Sequence, residues 1–221
     1  MHKIAKIFQA LSYWPIYGTL RIFAHFKIEG QENLMGLEKR AVIFASNHAS
    51  IFDGPICAAS MPRGKGDFYP KKFFPIRFLA AEEFFGWKYL LIAFYVWING
   101  SIPIKRGLKA GDKDLKDILA EPIKELERKE KIWIFPEGKV SRRGLIIRKG
   151  KRGVAFLQRA TGAPIVPVLL IGTRSLYSPL ALLGLKRVMV RIGKPIFNLN
   201  EPDLKKASQI VMNEIRKLAD Q

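Results

Sequence analysis

Short apolar runs alternate along this chain with stretches whose apolar residues recur at helical spacing. Ala41–Ala45 (AVIFA) predicts a buried strand ending in the polar turn Ser46-Asn47-His48. Ile132–Phe135 (IWIF) predicts a second, ending at Pro136-Glu137-Gly138. Ile165–Ile171 and Val188–Ile192 predict two more. Pro167, which has no N–H to give a ladder, restricts the former to an edge or a bulge. Lys113–Lys131 places Leu115, Ile118, Leu119, Ile123 and Leu126 at helical spacing, with a kink or break at Pro122. Gly153–Ala160 predicts a short helix closed by Gly162. Pro202 marks the start of a C-terminal helix that runs to Leu218. Strands alternating with helices imply an α/β fold, a single domain with a largely parallel central sheet flanked by helices. In such sheets the polar turns at strand C-termini are where sites are built.

Two segments are apolar beyond this pattern. Residues 1–26 place Ile4, Ile7, Phe8 and Leu11 at helical spacing beside Lys3 and Lys6. That suits an amphipathic, membrane-associating segment ahead of a domain spanning 27–221. A helix packed on the domain's own core fits equally well. The run from Leu11 to Leu20 is shorter than the roughly 20 residues a bilayer span needs. No apolar core followed by a small-residue cleavage site marks a secretory leader. The second segment, Phe84–Ile98 (FFGWKYLLIAFYVWI), reads either as an interfacial helix or as a buried one.

Composition narrows the classes. At 221 residues, 48% hydrophobic and 11% aromatic, the chain is neither disordered nor too small for a core. The lone Cys57 excludes a disulfide scaffold and a cysteine-based metal cluster, and three histidines leave little for zinc, so no metal is expected. With 38 Lys+Arg against 19 Asp+Glu, the net charge of +19 points to an anionic partner. Between Gly138 and Asn200 there are thirteen Lys or Arg and no Asp or Glu, a field suited to anionic lipid or to nucleic acid.

Candidate chemistry sits in the two strand-end turns. In Asn47-His48-Ala49-Ser50-Ile51-Phe52-Asp53, a carboxylate five residues beyond a histidine can hold one imidazole nitrogen while the other takes a proton. Five residues apart is the wrong spacing on a straight helix, so the chain must turn between them, and Asn47 and Ser50 are turn formers. The competing reading makes Asp53 a helix cap and His48 an ordinary loop residue. The second turn, Phe135-Pro136-Glu137-Gly138-Lys139-Val140-Ser141-Arg142-Arg143-Gly144, combines glycines with cations suited to a phosphate.

Together these segments resemble the glycerolipid acyltransferases, in particular the bacterial 1-acylglycerol-3-phosphate type. NHASIFD is similar to that family's first block, IPIKRG (102–107) to its second, FPEGKVSRRG to its third and APIVPVLLIG (163–172) to its fourth, in the same order. The resemblance implies direct acyl transfer. His48 serves as general base on the acceptor hydroxyl, and Asp53 orients it. Lys105 and Arg106 of the second block and Glu137, Gly138, Lys139, Ser141 and Arg142 of the third line the acceptor site, with Asn47 and Ser50 beside the base. Backbone amides near the first turn are expected to hold the oxyanion. The implied donor is a thioester of acyl carrier protein or coenzyme A, a co-substrate rather than a cofactor. The implied partners are a lysophospholipid acceptor and an anionic phospholipid membrane surface, not nucleic acid. The implied location is the cytoplasmic face of the cell membrane, peripheral or monotopic. Lys139 and Val140 depart from the family's usual Thr-Arg, so one phosphate ligand is missing, and Lys139 or Arg142 is its candidate replacement. Another lysophospholipid or hydroxylated lipid is the alternative acceptor. A non-enzymatic basic binder of lipid or nucleic acid is the alternative of another class.

Overall fold

The computed structural model describes residues 2–86, 90–105, 112–141 and 149–220. In chain order it contains α1 (His2–Phe23), β1 (Lys27–Glu29), β2 (Val42–Ser46), α2 (Asp53–Ala59), β3 (Ile76–Ala81), α3 (Leu90–Ile98), β4 (Ile102–Ile104), α4 (Asp112–Ile118) and α5 (Ala120–Glu127). There follow β5 (Lys131–Ile134), α6 (Gly153–Thr161), β6 (Ile165–Ile171), two 3-10 turns (Thr173–Tyr177 and Pro179–Leu183), β7 (Met189–Ile192) and α7 (Leu204–Lys217).

The strands form one seven-stranded sheet in the order β1-β7-β6-β2-β5-β3-β4. Every neighbouring pair is parallel except β6 with β7. The expected α/β fold with a largely parallel sheet is therefore the fold observed. All five residues of β2 are buried, as both-face coverage demands. Val42 and Phe44 join a core with Tyr13 and Leu20 of α1 and Ile56 and Cys57 of α2. Ile43 and Ala45 face the opposite core, built with Leu126 of α5, Val154 and Leu157 of α6, and Val211 and Ile215 of α7.

Two expectations change. Pro167 lies in β6, which is interior, between β7 and β2. Its carbonyl accepts from Gly193 N at 2.8 Å, so its missing N–H faces β7 just past that strand's last residue, Ile192, where one rung is lost at little cost. The helix over 113–131 is two helices meeting at Leu119, because Pro122 has no N–H to give the carbonyl four residues back, at Ile118, and its ring crowds that carbonyl. At the ends, Gly162 caps α6 with a φ of 66°, and Asp203 caps α7 by accepting from Lys206 N at 2.7 Å.

α1 belongs to the folded body. Its buried stripe is Ala5, Gln9, Tyr13 and Leu20. Gln9 donates to the carbonyls of Ile76 (2.9 Å) and Asn99 (3.0 Å) and accepts from Ile76 N (2.9 Å). The face bearing Ile4, Ile7 and Leu11 points outward. α3 is made wholly of apolar and aromatic residues, yet none is buried, and Leu91 is 85% exposed. Phe8 and Tyr95 meet edge to face at 6.1 Å, which joins the two helices. Among the described residues no helix is long and apolar enough to cross a membrane. Beneath α3, Arg77 of β3 pairs with Glu125 of α5 at 3.0 Å, both about 5% exposed, and Arg77 Nε also donates to Gly100 O.

Candidate active site

Because β6, β2 and β5 run parallel, their C-terminal ends share one edge of the sheet. The turn carrying His48 leaves the middle strand. Asp53 opens α2, but its carboxylate points back instead of capping forward. Its Oδ2 accepts from Ala49 N (2.7 Å) and Ser50 N (2.9 Å) and contacts His48 Nδ1 at 2.7 Å. The two amides fix Oδ2 as an acceptor, so the nitrogen facing it carries the hydrogen, and Nε2 is left with the lone pair. Asp53 is fully buried, whereas the His48 side chain keeps 16% of its surface open. The imidazole stacks on Phe135 with centroids 4.0 Å apart and planes 16° from parallel.

The third-block loop clasps the same residue from the β5 side. Glu137 Oε1 accepts from His48 N at 3.1 Å, and Ser141 N donates to His48 O at 2.6 Å. Gly138 has a φ of 69°, a backbone angle that favours glycine, and the flexible end of the Lys151 side chain lies against it. From the β6 side, Asn47 exchanges two hydrogen bonds with the backbone of Leu170 (2.9 and 2.8 Å). Tyr177 Oη accepts from Ile51 N at 3.0 Å.

Asn47 is thus engaged by β6 and Ser50 within the turn, Ser50 Oγ accepting from Phe52 N at 3.1 Å. Glu137, Gly138 and Ser141 surround His48, and Lys139 is exposed beside them. Lys105 is exposed at the end of β4, three strand spacings or about 14 Å from β2. Arg106 and Arg142 lie outside the described residues. The expectation that first-turn amides hold an oxyanion fails. The N–H groups of residues 48–52 all have acceptors already, because a carboxylate tucked under the turn consumes two of them. The amides of Lys139 and Val140, across from that turn, have no acceptor among the described residues. Burial and the nearby Asp53 push the Cys57 thiol well above its usual range, which disfavours a thiolate nucleophile.

Residues 25–171 match the sequence profile of the family described as Acyltransferase. The chain belongs to this acyltransferase family. Two relatives carry the name 1-acyl-sn-glycerol-3-phosphate acyltransferase. The chloroplastic protein of Arabidopsis thaliana is 28% identical over 197 residues, 88% of this chain and 48% of its own length. That of Saccharomyces cerevisiae is 28% identical over 203 residues, 87% of this chain and 60% of its own. The chain thus spans about half to three-fifths of these relatives. The crystal structure of the 1-acyl-sn-glycerophosphate (LPA) acyltransferase PlsC from Thermotoga maritima shares the fold, with a TM-score of 0.63 at 18% identity over 100% of this chain and 99% of that one. In this member of the family, Phe135 was legible as part of the third block. The places of Tyr177 against Ile51 N and of Lys151 against Gly138 were not, since nothing local in the sequence ties them to these turns.

Proposed function

We propose that this chain transfers a fatty acyl group from a thioester of acyl carrier protein or coenzyme A to the free hydroxyl of 1-acyl-sn-glycerol-3-phosphate, giving phosphatidic acid. The observation that carries the reading is the His48 Nδ1–Asp53 Oδ2 contact at 2.7 Å, in a family defined by acyl transfer. Nε2 takes the hydroxyl proton as the oxygen attacks the thioester carbonyl. The C–S bond then breaks, and the thiolate recovers the proton from Nε2. Asp53 keeps the tautomer and offsets the imidazolium charge. The amides of Lys139 and Val140 are the candidate oxyanion donors. The names of the two relatives support the phosphorylated acceptor. A panel of thioester donors against lysolipids, read by mass spectrometry, tests the assignment. Phosphatidic acid should form with a lysophosphatidic acid acceptor, and formation only from other hydroxylated lipids would replace the acceptor.

The same reading places the protein on an anionic membrane at the cytoplasmic face. The outward faces of α1 and α3 lie side by side, and an apolar surface this continuous needs an apolar cover. Since α1 is also core, point changes test this better than truncation. Replacing Leu91 (85% exposed) and Phe94 (59% exposed) by serine should weaken sedimentation with anionic vesicles by roughly 100-fold. Unchanged sedimentation would leave anchoring to the basic stretch.

A further inference from the structure

We infer that Lys151 and Arg174 hold the acceptor's phosphate, gripping it from two places on the third-block loop. The inference rests on the acceptor proposed above, and it assigns residues outside all four blocks.

Within the loop, Val140 stands in place of the arginine that the resemblance implies, and the loop's own Arg142 and Arg143 lie outside the described residues. The fold brings replacements from both sides. At the loop's start, the Lys151 side chain lies directly over Gly138. A Cβ on that glycine would sit 2.7 Å from Cε and 2.8 Å from Nζ, and Lys151 N is anchored on Pro136 O at 2.9 Å. At Ser141, the last described residue of the loop's first part, Arg174 Nη1 donates to the backbone carbonyl at 3.4 Å. Both places are tied to one residue, since Glu137 takes the N–H of His48 and Ser141 donates to its carbonyl. The two cations therefore meet the loop at Gly138 and Ser141, next to and at the residues that hold the histidine backbone.

Strand order explains the convergence. Arg174 follows β6, and the loop follows β5, the two parallel neighbours of β2. Lys105 is farther along the same edge. Neither Lys151 nor Arg174 has an ion pair among the described residues. Glu137, next to Gly138, accepts from the His48 N–H through Oε1. A phosphate of nearly two negative charges can satisfy an ammonium and a planar guanidinium together, the latter through paired N–H groups. The surroundings of the 138–200 stretch, without a single Asp or Glu, leave that charge uncontested by a carboxylate from the stretch itself.

The test uses the full chain with one thioester donor and two acceptors, 1-acylglycerol-3-phosphate and the same 1-acylglycerol without its phosphate. Lys151→Ala and Arg174→Ala should each raise KM for the phosphorylated acceptor about 10-fold, and together roughly 100-fold. The phosphate-free acceptor should be turned over as by the unaltered protein. Arg174→Lys should recover part of the loss, because it restores charge without the fork. Inorganic phosphate should compete with the phosphorylated acceptor in the unaltered protein and much less in the double variant. Equal losses on both acceptors, or an unchanged KM, overturn the inference and leave the proposed reaction standing. Failure of the unaltered protein to acylate any phosphorylated lysolipid overturns both.

Discussion

His48→Ala is expected to lower turnover by about 10³-fold, within the range ascribed to positioned general bases, while KM for the acceptor changes little. The split follows from where the imidazole acts. Nε2 meets the hydroxyl most strongly as its proton leaves, so the contact belongs to the transition state more than to the bound acceptor. Residual activity should remain, because the donor and acceptor are still held together. Asp53→Asn is expected to lose nearly as much, since Asp53 acts only through the ring, by fixing its tautomer and offsetting its charge. For the same reason the double variant should be no worse than His48→Ala alone. Multiplying losses would mean that Asp53 has a separate task. Full activity in His48→Ala with an intact fold, measured by product formation and circular dichroism, would remove His48 as the base.

The largest expected effect on stability lies far from that chemistry. Glu125→Ala should destabilise the fold by about 3–5 kcal/mol, because it strands the Arg77 guanidinium inside the protein. In a chain of this size that lowers the melting temperature by roughly 6–20 °C. Arg77 retains its bond to Gly100 O, which moderates the loss without supplying a counter-charge. Arg128, the other partner of Glu125, is exposed and loses little. Adding Arg77→Met to Glu125→Ala should restore most of the stability, since no charge is then buried. A single variant that melts within 2 °C of the unaltered protein, by the same scale, would show that the pair is dispensable. The pair ties β3 to α5 beneath the turn after α3, where Gln9 also holds Asn99, so its loss should loosen the seat of α1 and α3.

The elements legible in sequence are those whose residues serve one purpose. β2, β5 and β6 are runs of apolar residues because both faces of a parallel sheet are covered. α6 announces its end through Gly162, and the spacing of α7 shows its buried face. β1 and β4 are three residues each, too short to set a period. β3 hides because Arg77 interrupts it, and only Glu125, 48 positions away and across a helix, explains a charge there. Pro167 misled for a similar reason. Its cost depends on where β7 stops, which no local pattern records.

The site divides along the same line. Residue types and block order in the sequence singled out His48, Asp53, Glu137, Gly138 and Ser141 as candidates, because reactive groups and tight turns need particular side chains wherever they occur. Spacing left Asp53 open between helix cap and histidine partner, and left α1 open between core and membrane. Tertiary structure decided the first by turning the carboxylate back under the loop. It gave α1 one buried stripe and one open face. It also brought Tyr177, Lys151 and Arg174 to the two turns that carry and hold the histidine, since parallel strands deliver distant segments to a common edge only once the sheet has formed.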